Sequence, residues 1–342
     1  MIISATTVKD SRENVEKFVR RNLLGGIDHT VLFLDAPLPE VEEFLDGHPD
    51  ATYVRAHGDW WGDARPEGLN SRQINNAALI SRLVAGFDWA EWMFMLDGDE
   101  VARIDRSVLD RFDPETRAVR LLPLEAGSRL HPEGDPTRFK RLLDEDELQL
   151  LHVLGLIDEP KQRSYFRGHM SGKPGLRPSP DLALGVHHVV DTETGDRVEA
   201  VTDPGLTLLH YESHNGDEFV RKWMALLSSG DDVRQHHKRA PLAQSIAALL
   251  SMGLSEEVTS AMLERLYERC ALDDLETLSR LHLLVDVHPD EGERRPRPAD
   301  DEIGQLRELL ARSYDAPKPV FRPRSQNKRA PKVIARLQKG LR

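Results

Sequence analysis

Residues 89–101, WAEWMFMLDGDEV, decide how the rest of the chain is read. Five of the six residues from Trp92 to Asp97 are apolar and most are large, which predicts a buried strand. The run stops abruptly at Asp97-Gly98-Asp99-Glu100. A buried strand that ends in clustered carboxylates places them at the carboxyl edge of a sheet, where open α/β folds bind ligands. Gly98 lets backbone approach a bulky ligand. Asp97 and Asp99 flank it with the oxygen donors that hold a hard cation and the phosphates it carries. Asp and Gly are also ordinary turn residues, so the segments upstream must choose between a site and a turn.

Upstream, strand and helix patterns alternate. Residues 2–7 (IISATT) form a β-branched apolar run, a first strand. Asp10, three residues before Glu13, reads as a capping box, and Val15, Phe18, Val19 and Leu23 follow at helical spacing. Gly25-Gly26 stops that helix. Residues 29–35 (HTVLFLD) are a second strand, 37–45 a short helix, and 51–57 (ATYVRAH) a third strand. Asn70 and Gln73 open a helix with Ile74, Ala77, Ala78 and Leu83 on one face, leading into the strand before Asp97. Such alternation implies a mostly parallel sheet with right-handed crossovers. Residues 117–125 add a strand, 127–201 are rich in Pro, Gly and charge, and 206–211 (LTLLHY) return as a strand. From Asp217 the pattern becomes helical, with amphipathic stretches at 219–227, 242–252, 258–272, 275–287 and 303–314 and stops at Gly230 and Gly253.

The 342 residues, 39% hydrophobic and 30% charged, suffice for one large domain with an appendage or for two domains. No apolar run reaches the roughly 18 residues needed to cross a membrane, and MIISATTVKDS carries no basic segment before an apolar one. A cytoplasmic protein is the expectation. The single cysteine, Cys270, excludes an intramolecular disulfide and a thiolate zinc site, and its helical setting predicts a small core residue. Net charge is −12, yet from Pro317 to Arg342 there are nine Lys or Arg and no acid, leaving residues 1–316 at −21. The acidic body argues against a nucleic-acid partner. The basic tail is expected to be disordered and offers a peripheral contact for anionic lipid head groups or a polyanionic acceptor.

Together these features resemble the nucleotide-sugar glycosyltransferases of the GT-A type, in the family 2-like and family 92-like group. The likeness is carried by Val8-Lys9-Asp10-Ser11 with Asn14-Val15-Glu16-Lys17-Phe18, and by Gly26-Ile27-Asp28-His29 leading to Asp35. It continues through Asp97-Gly98-Asp99-Glu100 behind Trp92 and Met95. It closes with His210-Tyr211-Glu212-Ser213 and Glu218-Phe219-Val220-Arg221-Lys222, so that it covers residues 1–225. Two positions depart from the pattern: Ser11 stands in place of an acid, and Ala36-Pro37 follows Asp35. The resemblance implies a Rossmann-like transferase domain over residues 1–216, a helical region over 217–316 and the basic tail over 317–342.

It also implies that Thr7, Asp10 and Asp35 hold the nucleoside, since a carboxylate accepts two hydrogen bonds from ribose hydroxyls. Asp10 is equally an N-cap. Arg72, Gln73 and Asn76 start a helix and suit a phosphate. Lys173, in Ser171-Gly172-Lys173-Pro174-Gly175, is a glycine-flanked cation for a diphosphate. Trp60-Trp61 in GDWWGD reads either as a sugar-stacking platform or as core. Asp97, Asp99 and His210 are the expected ligands of Mn²⁺ or Mg²⁺, with His188 as the alternative imidazole. The general base is open among Glu125, Asp181 and Asp191.

The expected activity is metal-dependent, inverting transfer of a sugar from a nucleotide-sugar donor to a glycan, lipid-linked or small-molecule acceptor. The helical region is expected to pack on the transferase domain or to form a homodimer surface. Two other readings stand beside this one. Asp97-x-Asp99-x-Val101 fits the nucleophile motif of haloacid-dehalogenase-type phosphatases, although that motif normally follows the first strand. A degenerate transferase fold acting as a scaffold is the other.

Overall fold

The computed structural model describes residues 1–212, 214–220, 240–322 and 330–341. Ser213, most of the helix expected at 219–227, and the residues 230–232 lie outside them. The described chain is α/β and divides into two compact units that interleave along the sequence. One comprises Met1–Pro123, Ser171–Leu209 and His288–Arg342; the other comprises Leu124–Met170 and His210–Val287.

The first unit is Rossmann-like. Strands β1 (Ile2–Val8), β2 (His29–Leu34), β3 (Ala51–Arg55) and β4 (Trp92–Met95) are parallel in the order β3-β2-β1-β4. Helices α1 (Arg12–Leu24), α2 (Pro39–Leu45) and α3 (Leu69–Val84) make the crossovers. Both faces of this block are covered, which is why its strands read as near-continuous apolar runs. A period of two sorts the side chains. Ile3, Ala5, Val31, Phe33, Met93 and Met95 enter one core with Ala77, Ile80 and Leu83 of α3. Ile2, Val8, Leu32, Leu34, Trp92 and Phe94 enter the other with Val15, Phe18 and Val19 of α1. The odd positions continue to Thr7, Asp35 and Asp97, which puts all three on the α3 side.

Past β4 the sheet becomes antiparallel. The strand Lys173–Leu176 pairs antiparallel with β4, and β6 (Ala118–Ala126) pairs antiparallel with that strand in turn. The strand Glu100–Ile104, β5, is absent from the sequence expectation because it follows the acidic turn at once. Helix α1 ends as its glycines require. A Cβ on Gly25 would lie 1.8 Å from the Ala102 carbonyl oxygen, and Gly26 has φ 105°.

The basic tail is a correction. The helix Asp300–Arg312, the turn Lys318–Phe321 and the helix Ala330–Gln338 belong to the first unit. Ile303, Leu306, Val320, Phe321 and Leu337 join the core on the α3 side. Gln338 Nε2 donates to the carbonyls of Leu83 and Ala85 at 2.9 and 3.0 Å. The Lys318 ammonium sits 3.8 Å from the centre of the Trp60 ring and donates to the Ser313, Tyr314 and Ala316 carbonyls. Charge dominates the composition of this segment, but its few apolar residues decide its fate. Pro319 and Pro331 sit at helix starts, where no amide donor is needed.

The second unit carries the end of β6, the strands Arg138–Lys140 and Leu284–Asp286 paired with it in sequence, and helices at Glu145–Val153, Ala240–Ser251 and Glu256–Cys270. The helix Glu145–Val153 falls where irregular chain was expected; Asp144 and Glu147 form its capping box. The helix expected over 275–287 is instead a helix Leu275–Arg280 and a strand Leu284–Asp286. His282, at φ 58°, breaks it by adopting the left-handed conformation. Cys270 is exposed rather than core. Among the described residues no helix is long and apolar enough to cross a membrane.

Two consequences for stability can be measured. Phe321 has no exposed surface, so Phe321→Ala should cost about 3–5 kcal/mol in urea unfolding, and a chain ending at Ala316 should lose at least as much; an unchanged midpoint in the truncated chain would show that the segment does not hold the core. The His29 ring, buried with Nε2 2.9 Å from Thr52 Oγ1, has its pKa lowered by burial, and further by Arg307, from 6.5 to about 3. The unfolded chain takes up this proton first, so the contribution of His29 is complete above 6.5 and is lost as pH falls toward 3. The stability difference between the wild type and His29→Gln should therefore shrink from about pH 7 to about pH 4, and a pH-independent difference would contradict it.

Candidate active site

In the first unit, three strand ends meet one helix. Thr7 is near the end of β1, Asp35 follows β2, and Asp97 lies two residues past β4. The first two turns of α3 answer each. Asn76 Nδ2 donates to Thr7 Oγ1 at 2.9 Å. Arg72 reaches both Asp35 oxygens, at 2.9 Å from Nε and 2.8 Å from Nη2. Gln73 Nε2 donates to Asp97 Oδ1 at 2.6 Å. The first turn of α3 contains no acid, so its amide dipoles favour an anion.

The sequence singles out these residues but assigns some of them other partners. Arg65 joins Arg72 on Asp35, and Arg72 also bonds the Pro66 and Glu67 carbonyls. The expected ribose acceptor and the expected phosphate donor thus bind each other. Lys173 is not in a loop: it opens a strand, is 1% exposed, and places Nζ 2.7 Å from Asp97 Oδ2 and 3.4 Å from Glu100 Oε2. Burial alone would lower its pKa, but Glu100 and Asp97 outweigh burial and hold it above the usual lysine value. Gly172, at φ 60°, packs where a Cβ would lie 1.9 Å from the Leu121 carbonyl oxygen, so the glycine serves the sheet and not an anion. Glu100 Oε2 also accepts the Asp97 amide at 2.8 Å. At the first helix Ser11, not Asp10, is the N-cap; Asp10 accepts from the Ser11 amide and from Asn14 Nδ2.

Trp60 and Trp61 are 1% and 3% exposed, which removes the stacking platform. Trp61 donates to the Ala56 carbonyl at 2.7 Å, and Lys318 covers Trp60. His188 is half-buried, and its pKa is lowered by burial and then by Arg197 and Arg120. Those two cations oppose a metal there. Of the base candidates, Asp181 and Asp191 share Arg117. Amides of Thr194 and Glu193 hold the Asp191 carboxyl below its usual range, which weakens it as a base at neutral pH.

In the second unit Glu125 is almost fully buried. It accepts from the amides of Arg167 at 2.8 Å and Gly168 at 2.5 Å, and pairs with Lys140 Nζ at 2.7 Å. Lys140 also meets Asp273 at 3.0 Å and the Tyr165 carbonyl at 2.9 Å, with the Tyr165 ring centre 5.3 Å away. A buried carboxylate so engaged is structural. Gly168, anchored by Glu125, lies flat on His210: a Cβ there would fall 2.4 Å from its Cε1. His210 ends its strand, and its Nε2 is 3.9 Å from Glu212 Oε2, both residues being buried. Glu212 has no role in the sequence reading, although the spacing of two from His210 is a usable signal. Lys140, Asp273 and Gly168 carry none.

No family model matches the chain, and no curated protein matches it. Among solved structures it is similar to one described as a glucose-1-phosphate thymidylyltransferase from Bacillus anthracis in complex with a sucrose. The two are 10% identical over 52% of this chain and 72% of that one, with a TM-score of 0.27. It is also similar to HddC from Yersinia pseudotuberculosis, at 10% identity over 61% of this chain and 92% of that one, with a TM-score of 0.30. Likenesses at that level carry no argument about function.

Removing Lys140 should strand Glu125 and Asp273 in the interior. Lys140→Met should cost about 3–5 kcal/mol in chemical unfolding, the scale for breaking a buried pair by deleting one partner. A variant with wild-type stability would show that the network is not buried in solution.

Proposed function

We propose that the protein transfers a sugar from a nucleotide-sugar donor to an acceptor hydroxyl, with inversion and with Mn²⁺ or Mg²⁺. The observation that carries this reading is the row Thr7, Asp35 and Asp97 at the carboxyl ends of β1, β2 and β4, held by Asn76, Arg72 and Gln73 of one helix. Ligands of open α/β sheets bind outside this edge. Across three neighbouring strands the row runs roughly 10 Å, which suits an extended polyhydroxylated anion such as a nucleoside diphosphate. The acid-free start of α3 supplies amides for its phosphates.

Asp99, which follows Asp97 and Gly98 in the turn, is assigned to the cation. Carboxylate oxygens are donors that suit Mn²⁺ or Mg²⁺. When bound, the ion would neutralise the charge that builds on the leaving diphosphate. Thr7 and Asp35 are assigned to the nucleoside, with Asp35 held rigid by its two arginines. Among the base candidates Glu125 is shut in by Lys140, and Asp181 is held by Arg117 at the start of β6, the end that lies beside the start of β4.

A thermal-shift screen of nucleotide sugars with and without Mn²⁺ tests the proposal, because a ligand that binds only the native state raises the melting temperature. A donor whose effect needs the metal is expected. Asp99→Asn keeps the side chain's size but removes its charge, and should cut turnover about 100-fold or more with the fold intact. Wild-type rates in that variant would refute the metal assignment. Release of phosphate from simple phosphoesters would move the function to the phosphatase reading.

A further inference from the structure

We propose that Lys173 is a positioning residue for the acidic turn: its ammonium joins Asp97 to Glu100, so the turn offers a cation a net charge of −2 instead of −3. This rests on the metal assignment to Asp99 made above. Three carboxylates lie within residues 97–100. One lysine answers two of them. Asp97 Oδ2 accepts Lys173 Nζ at 2.7 Å while its Oδ1 accepts Gln73 Nε2 at 2.6 Å. Glu100 turns back to accept the Asp97 amide and stands 3.4 Å from the same ammonium.

The lysine has little freedom to move. Its strand pairs antiparallel with β4, Met93 opposite Leu176 and Phe94 opposite Gly175, and with β6 on the other side, Leu121 opposite Lys173. Ladders on both sides fix the backbone, and burial fixes the side chain. Lys173 therefore acts as a permanent internal counter-ion. It ties down the acids at the two ends of the turn.

Calorimetric titration of the full chain with Mn²⁺ alone, together with urea unfolding midpoints, tests this. Lys173→Met exposes a further uncompensated carboxylate to the ion and should bind Mn²⁺ about fivefold more tightly or better, with a lowered midpoint. A lysine with a merely structural role would weaken the site or leave it unchanged when removed. The double variant Asp97→Asn/Lys173→Met restores the charge; its Mn²⁺ affinity should return to within about threefold of wild type, and its midpoint should recover part of the loss. Unchanged or weaker Mn²⁺ binding in folded Lys173→Met overturns the proposal. If that variant does not fold, the double variant decides: failure to fold, or loss of Mn²⁺ binding, overturns it. A wild-type protein that binds no Mn²⁺ refutes the metal assignment instead, and the clamp is then judged by the midpoints of Asp97→Asn, Lys173→Met and the double variant. Additive losses in that cycle would overturn it.

Discussion

Strands β1, β2 and β4 are buried on both faces, so a polar residue at their carboxyl ends must be met by a partner. That constraint organises the first unit. Leaving a buried polar group unmade costs about 1–3 kcal/mol, more than a typical hydrogen bond returns. Helix α3 meets the demand with three residues at positions 72, 73 and 76, which helical geometry places on neighbouring faces. The same helix contributes Ala77, Ile80 and Leu83 to the core one turn further on. One element thus seals the core with its second half and dresses the sheet edge with its first.

The two units handle buried charge in related ways. In the first, Lys173 stands between Asp97 and Glu100; in the second, Lys140 stands between Glu125 and Asp273. Each is a lysine without significant exposure, paired with two acids. Buried pairs are poor sources of net stability, because desolvation consumes most of the Coulombic gain. Their effect is geometric. The first cluster fixes the acidic turn. The second fixes the amides of Arg167 and Gly168, and through Gly168 the surface on which the His210 ring lies.

Much of the first unit was legible because local pattern and tertiary role agree there. Residues 2–7, 29–35 and 92–96 are buried at every position, and Gly25-Gly26 stops a helix that has to pass against Ala102. Thr7, Asp35 and Asp97 could be picked out because they sit at strand ends, and Arg72 and Asn76 because they lie in the first half of a helix. Their pairings could not, since who holds whom depends on register and on the side of the sheet. Lys173 looked like a turn residue between glycines, and only its strand partners bury it. Trp60 and Trp61 lie in a polar stretch and are covered by residues near position 318, a contact no local pattern reports. The C-terminal segment misled by composition: nine positive charges conceal Val320, Phe321 and Leu337.

The last carbonyls of α3 receive their hydrogen bonds from Gln338, 255 residues away from Leu83. Loop-closure entropy must be met before such a contact is rewarded. The helix that carries Arg72, Gln73 and Asn76 is therefore completed at one end by the chain's final described helix. Its other end aligns the strand-edge residues. The strand edge and the C-terminal helix are thus joined through the two ends of one helix.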